Sequence, residues 1–96
     1  MPRCIFTPRA EAELEKIWLT IAQDSYEAAD RMIDQIRRRC EDRAHFPMSG
    51  ARQDHLIPHL RRFIVGPYLV FYFPLPDGIS VIRVLHSRQD IDQLFD

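Results

Sequence analysis

A chain of 96 residues, 46% apolar and 28% charged, has the size and makeup of one soluble domain, expected to span residues 1–96 and to bury a core without disulfide or metal staples. Nothing in it resembles a signal peptide or an apolar run of membrane-spanning length, so the expected location is cytoplasmic, with no membrane partner. The net charge of −1 leaves room for a basic face, because acidic residues crowd Glu11 to Glu15 and Asp90 to Asp96 while most arginines lie between Arg31 and Arg62.

The first apolar run, Arg3-Cys4-Ile5-Phe6-Thr7, reads as a short strand. Thr7-Pro8 ends it, with threonine suited to an N-cap and proline to the first helical position. Leu14, Ile17, Trp18 and Ile21 recur at helical spacing, with Glu11, Glu13, Glu15 and Lys16 mostly on the other side, which predicts one amphipathic helix ending near Gln23. Asp24 or Ser25 then caps a second helix, along which Ala29, Ile33, Ile36 and Cys40 continue an apolar stripe. So short a connection makes the two helices an antiparallel hairpin whose stripes need a further surface to cover them.

Pro47-Met48-Ser49-Gly50 stops the second helix, and Ala51 to His59 reads as a polar, mobile segment. The β-branched and aromatic tracts that follow, Leu60 to Tyr72 and Ile79 to Arg88, are punctuated by Gly66-Pro67, Pro74, Pro76 and Asp77-Gly78, the pattern of a β-meander. Asp90 to Phe95 reads as a last short helix or turn. The predicted class is α+β in the order β-α-α-β-β-β with a short C-terminal helix, the helical hairpin packed on a small, mainly antiparallel sheet.

Twelve of the thirteen basic residues are arginine. That favours planar, bidentate recognition of phosphates or carboxylates, unless it reflects compositional bias alone. Arg61, Arg83 and Arg88 lie on or beside paired strands, where a rigid backbone lets side chains converge, although Arg61 and Arg83 could equally pair with acidic residues at the sheet edge. His86 beside them is a candidate acid or base, or a structural histidine. Arg37-Arg38-Arg39 follows the turn of a helix, so part of the run must be solvated. Tyr68 and Tyr72 share one face of their strand, and Leu69, Phe71 and Phe73 share the other. The second set is expected to meet the hairpin, leaving the tyrosines near the arginines on an exposed face, with a core tyrosine as the alternative.

His55 and His59 have the i, i+4 spacing of two ligands, but Pro58 between them opposes a regular helix and no further ligand pattern completes a metal site. Ser49, Ser80 and Ser87 lack a nucleophile elbow, and with three glycines there is no phosphate-cradling loop, so no cofactor is implied. Cys4 and Cys40 could pair if the fold brings them together. In a chain without an export signal they are expected to be free, with Cys40 in the core.

Phe6-Thr7-Pro8-Arg9-Ala10, Leu14-Glu15-Lys16-Ile17-Trp18, Ala28 to Ile33, Pro47-x-x-Gly50, Leu60-Arg61-Arg62-Phe63, Tyr68 to Tyr72 and Ile82 to Asp90 together resemble the ParE/RelE superfamily of toxins from bacterial type II toxin-antitoxin systems. The likeness covers nearly the whole chain and implies the same order of elements. RelE-like members cut mRNA in the ribosome with a basic cluster that holds the scissile phosphate. By that resemblance Arg61, His86 and Arg88 would be the catalytic set. This sequence departs from the pattern at Leu69, where an arginine is expected, and at Leu94 or Phe95, where a tyrosine is expected.

The long hairpin and the Pro-x-x-Gly, Leu-Arg-x-Phe and Val-Leu-His sequences are more similar to ParE. That branch implies an inhibitor rather than an enzyme, one that stabilises DNA gyrase with cleaved DNA and is neutralised by a ParD-like antitoxin in a hetero-oligomer. On this reading Arg61, Arg83, His86 and Arg88 bind the target, and Trp18, Tyr68 and Tyr72 bind the antitoxin. A third possibility is a remnant that binds without toxicity.

Overall fold

The structure, a computed structural model, describes residues 1–95. Strand β1 (Arg3–Phe6) leads into helices α1 (Pro8–Ala22) and α2 (Tyr26–Ala44), then a 3-10 turn at Pro47–Ser49. Strands β2 (Ala51–Arg52), β3 (Arg61–Val65), β4 (Tyr68–Leu75) and β5 (Gly78–His86) follow, and α3 (Ile91–Leu94) closes the chain. The helix starts are set by side chains that satisfy orphan N–H groups: the Thr7 hydroxyl accepts from Ala10 at 3.2 Å with Pro8 at the first helical position, and Ser25 accepts from Ala28 at 3.1 Å. Ser25, not Asp24, is therefore the second cap.

The sheet order is β1-β5-β4-β3-β2, antiparallel except that β1 runs parallel to β5 from Arg3 opposite Gly78 to Phe6 opposite Val81. Parallel pairing needs a long crossover, and the α1–α2 hairpin with the meander behind it supplies the chain for one. A tight turn joins β3 to β4, with Gly66 at φ 56°, a left-handed conformation glycine adopts without strain. Between β4 and β5 the register slips: Phe71 faces Arg83 while Tyr72 faces Val81, so Ile82 is an extra residue in β5. The bulge lets both Val81 and Val84 face the helices although they are an odd number of residues apart.

Both faces of the sheet are covered. Ala10, Leu14 and Ile17 of α1 and Ile36, Cys40 and Ala44 of α2 pack on Phe63, Val65, Tyr68, Val70 and Tyr72. Behind the sheet, Leu60, Leu69, Phe71 and Leu85 are closed over by Leu56 and Ile57 from the β2–β3 segment and by Ile91, Leu94 and Phe95 around α3. The expected face assignment of β4 is thus corrected: the tyrosines meet the hairpin, and Leu69 and Phe71 point away from it. Tyr68 is 8% exposed and Tyr72 fully buried. Truncating a buried aromatic of this kind costs ~3–5 kcal/mol.

Tyr72 is more than filler, because its hydroxyl accepts the Gly50 N–H at 2.9 Å and donates to the Pro47 carbonyl at 2.8 Å. A Cβ at Gly50 would collide with that phenol, so the Pro-x-x-Gly turn is required by the close approach of a core tyrosine. Trp18 also departs from expectation. It lies outside the sheet-facing stripe, half-buried, donating through Nε1 to Asp30 at 2.8 Å and stacked on Tyr26 with ring centroids 5.8 Å apart. The segment expected to be mobile is instead tied down. Gln53 is buried and its N–H bonds Leu60 at 2.7 Å, while the Asp54 carboxylate accepts from the His59 N–H at 2.9 Å, holding His59 at a φ of 71°.

Candidate functional site

The bulge in β5 aims Arg83 at α1. Its Nε and Nη2 donate to Glu13 Oε2 at 2.9 and 2.7 Å, its Nη1 donates to the Leu94 carbonyl at 2.7 Å, and its guanidinium lies 5.4 Å from the centre of the Phe95 ring. The second Glu13 oxygen accepts the Val84 N–H at 2.9 Å. Beyond Phe6 no β1 residue pairs with β5, so a carboxylate from α1 satisfies an edge N–H there instead. All three guanidinium nitrogens are engaged and the residue is 6% exposed. Arg83 therefore joins α1, β5 and α3, with three of its five N–H donors committed inside the fold.

His86 sits at the end of the same strand, half-exposed, with its ring edge-on to Tyr68 at 5.4 Å. Its Nδ1 accepts the Arg88 N–H at 3.1 Å, and its own N–H donates to the Gln89 side chain at 2.6 Å. Arg88 is exposed on the turn beyond. Glu13, Ile17, Tyr68, Arg83, His86 and Leu94 line a cleft of about 310 Å³ between α1 and the end of β5. Burial pushes the Tyr68 phenol up from its ordinary pKa.

Arg61 is elsewhere. Opposite Tyr72 on β3, it donates through Nη1 to the carbonyls of Met48 at 2.9 Å and Gly50 at 2.8 Å, fastening the 47–50 turn from outside as Tyr72 does from inside. With Arg52, His59 and Pro74 it lines a separate cavity. There Arg52 and a backbone N–H hold the Asp54 carboxyl down at about 2, the Arg52 hydrogen bond being the larger cause. The Tyr72 phenol beside the turn is pushed up by burial, partly offset by the Gly50 N–H and the Arg43 and Arg61 charges.

The four residues read as one surface thus divide. Arg83, His86 and Arg88 gather at the α1 end of β5, and Arg61 stands on the far flank of β4. Arg61 pairs with Tyr72 and His86 with Tyr68, four residues and two strand spacings apart, roughly 16 Å by strand geometry. Of Trp18, Tyr68 and Tyr72, only Trp18 presents substantial surface. Among the described residues no group of three His, Cys, Asp or Glu side chains could hold a metal, and no helix is long and apolar enough to cross a membrane.

Glu13 is the residue sequence reasoning missed. Its signal was present, because Ala10, Glu13, Leu14 and Ile17 occupy i, i+3, i+4 and i+7, which places the carboxylate within the buried stripe. An acidic residue on such a stripe calls for a cation in the sheet opposite.

Residues 4–91 match the family model described as the ParE toxin of the type II toxin-antitoxin system, parDE. Toxin ParE1 of Mycobacterium tuberculosis is 31% identical over 93 residues, covering 95% of both chains. Toxin RelE3 of Caulobacter vibrioides is 31% identical over 83 residues, 85% of this chain and 90% of that one. A solved structure of the chromosomal ParDE TA system from P. aeruginosa superposes with a TM-score of 0.71 at 18% identity, over 84% of this chain and 90% of the other, and so shares the fold. The helical hairpin on a mixed sheet, the family match along almost the whole chain and a relative this similar over 95% of the length agree: the chain belongs to the ParE toxin family of type II toxin-antitoxin systems.

Proposed function

We propose that this chain is an inhibitor-type toxin that stabilises DNA gyrase with cleaved DNA, acts in the cytoplasm, and is neutralised by a cognate ParD-like antitoxin in a hetero-oligomeric complex. The observation that carries the reading is the separation of its cations. Cleaving a phosphodiester by electrostatic catalysis needs several donors about 3 Å from one developing charge. Here Arg61 is bound to the 47–50 turn on one flank of β4, His86 lies on the other, and Arg83 is held by Glu13 and Leu94. Leu69, at the position where the ribonuclease pattern has an arginine, is 7% exposed in the apolar layer behind the sheet.

Binding makes weaker demands than catalysis. His86 at the rim of the α1 cleft, Arg88 exposed on the turn beyond it, and Arg61 at the separate cavity on the far flank of β4 present charge and hydrogen-bonding groups to a macromolecular target without converging on one atom. Arg83 contributes by positioning this rim. For the antitoxin, Trp18 and the exposed Leu19 and Tyr26 near the hairpin tip offer an apolar surface suited to an amphipathic segment. Tyr68 and Tyr72 act from beneath, as the floor that holds the hairpin. The similarity to Toxin RelE3 keeps a ribosome-dependent endoribonuclease in view as the second reading.

One pair of assays separates them. The purified chain is incubated with supercoiled plasmid, gyrase and ATP, and in parallel with mRNA-programmed ribosomes. The expected result is linear, gyrase-linked plasmid, lowered by Arg88→Ala and recovered at higher toxin concentration, since loss of a rim contact weakens association. Site-specific cleavage of ribosome-bound mRNA, with gyrase unaffected, would place the chain with the ribonucleases. Coexpression with the neighbouring small reading frame should restore growth and give a stable complex on gel filtration.

A further inference from the structure

Cys4 and Cys40 are far apart in sequence and belong to different elements, yet they meet. In β1 the inward residues are Cys4 and Phe6, and both face α2. The Arg37 guanidinium lies over the Phe6 ring at 5.0 Å, and Cys40, three residues further along α2, packs with Cys4 in the same core cluster. The two contacts form one seam, since two residues of strand and three of helix advance by comparable distances, ~6.6 and ~4.5 Å. Both thiols are free, Cys40 is fully buried, and Cys4 is half-buried at the sheet edge. Neither has a part in the target or antitoxin surfaces.

The geometry points to a redox-active dithiol: Cys4 is the peroxide-reactive thiol and Cys40 the resolving one, and oxidation closes a disulfide that staples β1 to α2. The environment divides the roles. The Cys40 hydrogen bond, the larger cause, and the Arg37 charge favour the Cys4 thiolate, against burial and the Glu41 carboxylate, while Cys40 is pushed up by donating to Cys4 and by burial. The oxidant is a hydroperoxide. The Cys4 sulfur attacks it, the O–O bond breaks, and Cys4 becomes a sulfenic acid with release of alcohol or water. The Cys40 sulfur then attacks the Cys4 sulfur, the S–O bond breaks, and the departing hydroxide takes the Cys40 proton as water. In sum two thiols lose two hydrogens and the hydroperoxide gains them. Because Cys4 and Cys40 pack together across the seam between β1 and α2, ring closure competes well with further oxidation of Cys4.

The bond would close a loop of roughly 36 residues that contains all of α1, a constraint felt chiefly by the unfolded chain. The inference is independent of the toxin's target. Its test uses the folded chain, treated with hydrogen peroxide, quenched with an alkylating agent and read by intact mass and peptide mapping. The expected product is about 2 Da lighter and resists alkylation until dithiothreitol is added. Its map should join the Cys4 peptide to the Cys40 peptide, and its melting temperature should rise by ~5–20 °C. Cys4→Ser, a change at the half-buried position, should retain a Cys40 that neither oxidises nor alkylates in the folded state. Cys40→Ala, where it folds, should accumulate sulfinic and sulfonic acid at Cys4. Over-oxidation of Cys4 in the wild-type chain without the cross-link, exclusively intermolecular disulfides, or a cross-link formed only in denaturant would overturn the assignment.

Discussion

Replacing Glu13 with Gln keeps the shape of the side chain and removes the charge that Arg83 was buried against. In the native pair the side chains are 7% exposed at Arg83 and 17% at Glu13, so the guanidinium is nearly dry while the carboxylate touches the cleft. Breaking a buried pair from one side costs ~3–5 kcal/mol, because the remaining charge is left without compensation. Water entering at the cleft should moderate this, and Gln can still accept the Val84 N–H, so the expected loss is ~3 kcal/mol. With a urea slope of ~1–3 kcal/mol/M for a small domain, the midpoint should fall by ~1–3 M. Arg83→Met should cost a similar amount. The double variant Glu13→Leu/Arg83→Met, which replaces the pair by apolar groups, should return to within ~1 kcal/mol of wild type, as such replacements often do. Urea unfolding followed by Trp18 fluorescence checks all three. A Glu13→Gln change below ~0.5 kcal/mol, or a double variant no better than the singles, would show that Arg83 is not held as described.

The order of elements was legible because each helix announces its start and each strand its end: Thr7-Pro8 and Ser25 cap, Gly66-Pro67 and Asp77-Gly78 turn, and the stripes Leu14-Ile17-Ile21 and Ala29-Ile36-Cys40 bury as their spacing predicts. The face assignment of β4 was not legible, for a physical reason. Tyr68 to Tyr72 is buried residue after residue because the sheet is covered on both sides, and a strand without polar alternation carries no sign of which face is which. The second layer was hidden in Leu56 and Ile57, short apolar pieces inside a segment that read as polar, and in the residues around α3, which read only as a short helix or turn. The bulge at Ile82 hid the orientation of Arg83 in the same way, since an extra residue breaks the period-2 rule from which its direction would be read.

The candidate site was half legible. That arginines line the sheet could be read from Arg61, Arg83 and Arg88, but which of them are free depends on partners remote in sequence: Glu13 for Arg83, and the carbonyls of Met48 and Gly50 for Arg61. Arginine's fixed fork of five donors suits an anionic target and a cluster of carbonyls equally well. Trp18 misled because helical spacing places it one position beyond the Ile17 stripe, where its indole N–H reaches Asp30 at the hairpin seam.

Tyr72→Phe should keep the ring in the core yet cost ~1–3 kcal/mol, since the Gly50 N–H loses its acceptor in a buried position, and thermal unfolding that matched wild type would mean that the turn is held by Arg61 alone. The β2–β3 segment should be acid-labile through Asp54. Its carboxyl stands at about 2, held down first by the Arg52 hydrogen bond and then by the His59 N–H, so its folded value lies below its unfolded one. The sign follows from linkage: the unfolded carboxyl binds its proton first, so the contribution is complete above ~pH 5 and is lost as the pH falls toward about 2. Asp54→Asn cannot titrate, and should melt below wild type at neutral pH by a gap that closes on acidification, while the His59 amide signal moves over the same range. A gap that stays constant from pH 6 to ~2 would show that the carboxylate does not hold the left-handed turn at His59.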